Sequence, residues 1–83
     1  MLELRARFPA ITACRIAIEA LPSGEAEAHV DILLPQHQII FNEVAPDPDA
    51  ARAKALAAAA ARLAELAKRD PRILQKRGQD PFP

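Results

Sequence analysis

Three short runs of alternating apolar and polar residues, followed by one long alanine-rich segment, constrain the fold of this chain most. In the runs Thr12 to Ala20 and Ala26 to Leu34, apolar residues occupy every second position, as in strands with one buried face. A third run, His37 to Val44, is rich in β-branched and aromatic residues. Turn-forming residues separate the runs: Leu21-Pro22-Ser23-Gly24 and Pro35-Gln36. The pattern predicts a three-stranded antiparallel sheet made of two hairpins.

The alanine-rich segment predicts a helix from Pro48 to Arg69. Asp47 can cap its first turn, and proline is favourable at the first helical position. Its apolar residues recur at helical spacing and form one stripe: Leu56, Ala59, Ala60, Leu63, Leu66 and Ala67. We expect this stripe to pack on one face of the sheet, and Asp70-Pro71 to end the helix.

The remaining segments are short. Residues 2 to 8 favour a helix that stops before Pro9, so they resemble the last turns of a helix. The segment 71–83 predicts a short helical turn and then a mobile tail from Gly78. The expected architecture is α+β, with a single domain over residues 1–70. Because large apolar side chains are few, the core should be thin, and a partner chain could supply missing burial.

Charge and cysteine content restrict the setting of the protein. Eleven basic residues balance eleven acidic ones, so any binding of a polyanion must come from a local cluster. The single cysteine and the lack of a signal-like N-terminus predict a cytoplasmic location. No apolar run approaches the roughly 20 residues that span a bilayer, so we expect no membrane association.

Few residues are suited to catalysis. Cys14 lies on the inward face of a strand, which favours a core cysteine over a nucleophile. His29 and His37 would need further metal ligands, from Asp31 or Glu43, so solvated histidines on the sheet are expected instead. The chain has only two glycines, far apart, and hence no phosphate-binding loop. We expect neither enzymatic activity nor a cofactor or metal.

Basic residues suggest a different activity. Arg62 and Arg69 lie seven residues apart on one flank of the predicted helix, and further basic residues crowd its end: Lys68, Arg72, Lys76 and Arg77. Such a cluster can contact several phosphates of a nucleic acid. The alternative is that these residues favour the negative end of the helix dipole and keep the protein in solution.

The order of these segments resembles the ribosome hibernation-promoting factor family, also called the ribosome-associated translation inhibitor or sigma-54 modulation family. The residues that carry the resemblance are the fragments FPAITACRIAIEA, HVDILLP, QIIFN and AARLAELAKR, within residues 4 to 69. The family fold is β-α-β-β-β-α. This chain resembles an N-terminally truncated form, without the first strand and most of the first helix. A start codon assigned too far downstream would give the same sequence.

The resemblance implies binding to small-subunit ribosomal RNA and restraint of translation under stress. It implies that Arg62, Lys68 and Arg69 on the last helix face RNA, together with Arg5 and Arg7 on the remnant of the first helix. The chain departs from the family pattern in the alanines of its last helix and in Pro35-Gln36-His37, where glycines are common.

The resemblance also implies an open edge on the strand Thr12 to Ala20, where the family's first strand would pair. Such an edge can accept a second copy, which predicts a homodimer with a continuous six-stranded sheet. The alternative function is a non-enzymatic protein-interaction or regulatory module that keeps the scaffold without binding RNA.

Overall fold

The computed structural model describes residues 2–74. A short helix α1 (Leu2–Arg7) precedes strands β1 (Ala13–Ala20), β2 (Ala26–Leu34) and β3 (His37–Ala45). Helix α2 (Pro48–Arg69) follows, and a 3-10 turn covers Pro71–Leu74. The strands form one antiparallel sheet in the order β1-β2-β3, and α2 packs on one face of it. The predicted α+β fold is confirmed.

The strand register places the alternating apolar residues on the face that α2 covers. Val30 of β2 lies opposite Ile16 of β1 and Phe41 of β3. Because neighbouring residues across a ladder point to the same side of a sheet, these three side chains share the helix-facing surface. The other face is mostly polar but exposes three apolar side chains: Leu33, Ile40 and Val44.

The core combines large side chains from the sheet with small ones from the helix. Ala51, Ala55 and Ala59 of α2 are fully buried, together with Leu63. Side chains this small let the helix axis approach the strands closely, so Val30 and Ile32 fill the space between them. Phe8 and Ile73, which flank the central elements in sequence, are also buried and close the ends of this core.

Local hydrogen bonds fix the ends of the helix and the first turn. The Asp47 carboxylate accepts the Ala50 N–H at 2.8 Å, which satisfies a donor that has no partner within the helix. At the other end, the Asp70 N–H donates to the Leu66 carbonyl. Gly24 turns the first hairpin with a φ of 93°, a conformation that glycine adopts without a steric cost.

Within residues 2–74, no helix is long and apolar enough to cross a membrane.

Candidate nucleic-acid interface

One flank of α2 carries most of the charge of the helix. With 100° per residue, five positions point toward β3, and we call them the β3 flank: Lys54, Ala58, Arg62, Glu65 and Arg69. Two contacts place this flank over the outer edge of the sheet. Lys54 Nζ donates to the Val44 carbonyl at 3.0 Å, and Arg62 Cζ lies 4.4 Å from the centre of the Phe41 ring.

The stack on Phe41 holds the Arg62 guanidinium in place while its side chain stays exposed. A guanidinium on an aromatic face keeps its N–H donors at the rim of the plane. These donors can therefore reach a phosphate. Among residues 2–74, no carboxylate pairs with Arg62 or Arg69 within 4 Å, and the two arginines lie nearly two helical turns apart on the same flank.

Lys68 has a carboxylate partner on the helix. Its Nζ lies 3.3 Å from Glu65 Oε2, and both side chains remain more than 60% exposed. An exposed pair of this kind contributes about 0–1 kcal/mol, so a phosphate can replace Glu65 at little cost. Arg69, four residues after Glu65, does not share this contact.

Arg72, the next predicted phosphate contact, is held by its own chain. Its guanidinium donates to both oxygens of Asp70, at 2.7 and 2.9 Å, and to Gln36 Oε1 at 2.7 Å. A bidentate arginine–carboxylate pair is directional and stronger than a neutral hydrogen bond. Arg72 therefore ties the 3-10 turn to the β2–β3 hairpin, and it is the predicted RNA contact least able to leave its partner.

Asp70 is the centre of this cluster. Besides Arg72, it binds His37, whose Nε2 lies 2.8 Å from Asp70 Oδ2. The bonds from Arg72 and His37 hold the pKa of the Asp70 carboxyl far below its ordinary value. His37 was expected to be a solvated histidine of the sheet. It is instead half-buried on the helix-facing side, because Asp70 at the end of α2 reaches it.

The two arginines of α1 have surroundings different from those of the β3 flank. Arg5 lines a surface depression with residues of all three strands, among them Arg15 of β1, Leu33 of β2 and Gln38 of β3. By the strand register these three residues lie on the face of the sheet away from α2. Arg7 stacks over the Phe8 ring at 5.3 Å. Arg5 is therefore apart from the β3 flank, and the predicted basic residues do not form one patch.

Lys76 and Arg77, and the mobile tail predicted from Gly78, lie outside the described residues.

The outer face of the sheet carries a polar cluster around His29. Its Nδ1 lies 3.0 Å from Asn42 Oδ1, its Nε2 lies 3.0 Å from Glu19 Oε1, and Glu27 is also close at 3.6 Å. The bonds with Glu19 and Asn42 raise the pKa of His29. The three ligand-type residues Glu19, Glu27 and His29 lie close enough to share a cation. Both ring nitrogens of His29 are already hydrogen-bonded, to Asn42 and Glu19, so neither is free to bind a cation in this arrangement.

Cys14 behaves as a structural residue. It packs half-buried against the core, and burial raises the pKa of its thiol. A thiol that resists ionisation is a poor nucleophile.

Phe41 and Asp70 are the contributors to this surface that the sequence did not reveal. Phe41 lies in a run that the sequence predicted only as a strand, and Asp70 was predicted only to end the helix. Their partners Arg62 and His37 lie 21 and 33 positions away in the chain. The periodicity of the sequence predicts secondary structure, but it does not predict contacts between residues so far apart in the chain.

Comparison with known proteins finds no matching family model, no matching curated protein and no matching solved structure.

Proposed function

We propose that this chain is a non-enzymatic, cytoplasmic, ribosome-associated factor that binds small-subunit ribosomal RNA and restrains translation under stress. The observation that carries the proposal is the pair Arg62 and Arg69 on the β3 flank, exposed and without a carboxylate partner among the described residues. The order of a helix end, three antiparallel strands and a long helix agrees with the resemblance to the hibernation-factor family, and so supports the same proposal.

Phosphate binding by this flank follows from simple electrostatics. Arg62 is already oriented by Phe41, so it loses less conformational freedom on binding than an unrestrained side chain would. Arg69 and Lys68 extend the contact toward the C-terminal end of α2. Each phosphate that is neutralised releases counterions, and for single-stranded RNA the logarithm of affinity falls by about 0.7 for each tenfold rise in salt per contact. Two or three contacts therefore give weak, salt-sensitive binding.

Co-sedimentation with isolated small ribosomal subunits, at several salt concentrations, tests this function. We expect salt-sensitive pelleting of the wild-type chain. R62E and R69E should each weaken pelleting and reduce the salt slope by about 0.7, the contribution of one phosphate contact. R52E is the matched control, because Arg52 is an exposed residue of α2 outside the β3 flank and the charge change is identical.

The proposal fails if the wild-type chain does not pellet with the subunit, or if R52E weakens pelleting as much as R62E does. Circular dichroism of each variant shows whether the fold is retained, which matters because R62E also removes the stack on Phe41.

A second candidate function is a protein-interaction or regulatory module that does not bind RNA. Two observations favour it: Lys68 and Arg72 are bound to carboxylates of their own chain, and the outer edge of β1 has no strand partner among residues 2–74. Such a module should ignore polyanions even at low salt, which separates it from the first candidate.

A further inference from the structure

The outer edge of β1 offers a regular set of backbone hydrogen-bonding groups. The Leu21 N–H donates to the Glu25 carbonyl, one position beyond the register pair Ala20 and Ala26. Because bonded and non-bonded pairs alternate in an antiparallel ladder, the odd-numbered residues of β1 bond to β2. The N–H and C=O groups of Cys14, Ile16, Ile18 and Ala20 consequently point away from the sheet.

The surface above this edge is apolar. Ile16 is half-buried and Ile18 is 37% exposed on the helix-facing side of β1. The flank of α2 that points toward β1, opposite the β3 flank, is mostly apolar, with Leu56, Ala60 and Ala67, and it carries one charge, Asp49 in the first turn. By contrast, Lys54 and Arg62 lie over the edge of β3. The two edges of the sheet therefore differ: from Ile16 to Ala20 the β1 edge combines free backbone groups with mostly apolar side chains above them, whereas basic side chains lie over the β3 edge.

We propose that a second copy of this chain pairs antiparallel with β1 about a two-fold axis at Ala17, so that two sheets join into one of six strands. This inference deepens the interaction-module candidate by naming its partner, and it is independent of RNA binding.

The charged side chains of β1 are complementary to those of a second β1, and they favour one position of the two-fold axis. Arg15 and Glu19 lie two residues on either side of Ala17, on the outer face of the sheet. A two-fold axis at Ala17 places Arg15 of one copy opposite Glu19 of the other, and the symmetry makes this pair twice. An axis at Ile16 or Ile18 leaves both charges opposite alanine or leucine, and an axis at Arg15 or Glu19 brings like charges together, which is unfavourable.

The same axis suits the remaining residues of the strand. Ile16 then lies opposite Ile18 of the other copy, and this pair covers the apolar side chains that one chain leaves exposed. Ala17 lies opposite its own counterpart in a non-bonded pair, where the Cα atoms approach to about 4.5 Å and a small side chain fits best. Glu19 contacts His29 through Oε1, so its Oε2 can accept from Arg15 of the other copy.

A charge exchange tests the proposal by sedimentation equilibrium over a concentration series. We expect the wild-type chain to form a dimer. R15E and E19R should each weaken association at least tenfold, and the double variant R15E/E19R should recover most of it, because the opposite charges then face each other again. A wild-type chain that is monomeric throughout, or a double variant no better than the single ones, overturns the proposal.

Disulfide formation tests the axis itself. In a C14A background, A17C should give a covalent dimer on mild oxidation, because Cα atoms about 4.5 Å apart are within disulfide range. A13C in the same background is the matched control, since Ala13 is far from its own counterpart under this axis. Crosslinking of A13C but not A17C, or of neither, overturns the axis at Ala17.

R62E and R69E change the opposite edge of the sheet and should leave the dimer intact. A failure of the RNA proposal can therefore be distinguished from a failure of the dimer proposal.

Discussion

At the scale of single residues, His29 shows how an exposed polar face can be organised. Its two ring nitrogens contact Asn42 and Glu19, with Glu27 close by. None of these contacts could be predicted from the sequence, which indicated only that His29 would be a solvated residue of the sheet. The alternation of the strand predicts the face on which a residue lies, but cross-strand register decides which side chains meet there.

The pKa of His29 gives a prediction of pH dependence. It is raised above its ordinary value of 6.5, first by the hydrogen bond to Glu19 and then by that to Asn42. The folded chain therefore holds this proton more tightly than the unfolded chain does. The stabilisation is fully present below pH 6.5 and is lost as pH rises through the higher pKa of the folded state.

Titration of the His29 imidazole by NMR measures this effect. We expect E19Q to move the pKa of His29 back toward 6.5, whereas E25Q, in the nearby turn, should leave it unchanged. An unaltered pKa in E19Q would show that Glu19 is not the main cause.

At the scale of elements, α2 illustrates what could be anticipated and what could not. Its bounds, Pro48–Arg69, agree with the prediction because Asp47 and Asp70-Pro71 are strong local signals. The strands were likewise predictable within a residue or two from their alternation. The stack of Arg62 on Phe41 was not, because it depends on the angle at which the helix crosses the sheet. The sequence thus predicted which basic residues belong to the candidate interface. It did not predict the side chains that orient these residues or pair with them.

Close packing of α2 on the sheet predicts a sharp difference between alanines of the same helix. Ala59 is fully buried, whereas Ala61 is exposed. A59L should lower the free energy of unfolding by about 1–3 kcal/mol, because the added atoms force the helix away from β2. A61L should change it by less than about 0.5 kcal/mol. Urea denaturation of both variants checks this, and equal effects would contradict the close approach of helix and sheet.

At the scale of the whole molecule, the chain has little core to stabilise it. Among residues 2–74, seven of the sixteen buried apolar residues are alanine, so the core has a small volume for its number of residues. Domains of this size leave a larger share of their surface in water than bigger ones do. Association with a second copy through β1 would add burial at Ile16 and Ile18.

Thermal unfolding should therefore depend on concentration. If folding and pairing are coupled, a hundredfold rise in chain concentration should raise Tm by about 5–10 °C, given the usual unfolding enthalpy per residue. At each concentration the Tm of E19R should be lower than that of the wild-type chain, because its association is weaker. Differential scanning calorimetry of both chains makes the comparison, and a wild-type Tm that does not vary would argue for a stable monomer.

The bond from Lys54 to the Val44 carbonyl has a consequence for assembly. A sheet with two open edges can add copies at both and grow into a filament. Here the Lys54 ammonium binds the Val44 carbonyl near the end of the β3 edge, as charged lysines on edge strands do in many proteins that resist aggregation. In the proposed dimer, pairing along β1 is closed by its two-fold symmetry. Lys54 would then oppose the addition of a further strand at the Val44 end of β3, although it lies on the far side of the sheet from the contact that joins the two copies.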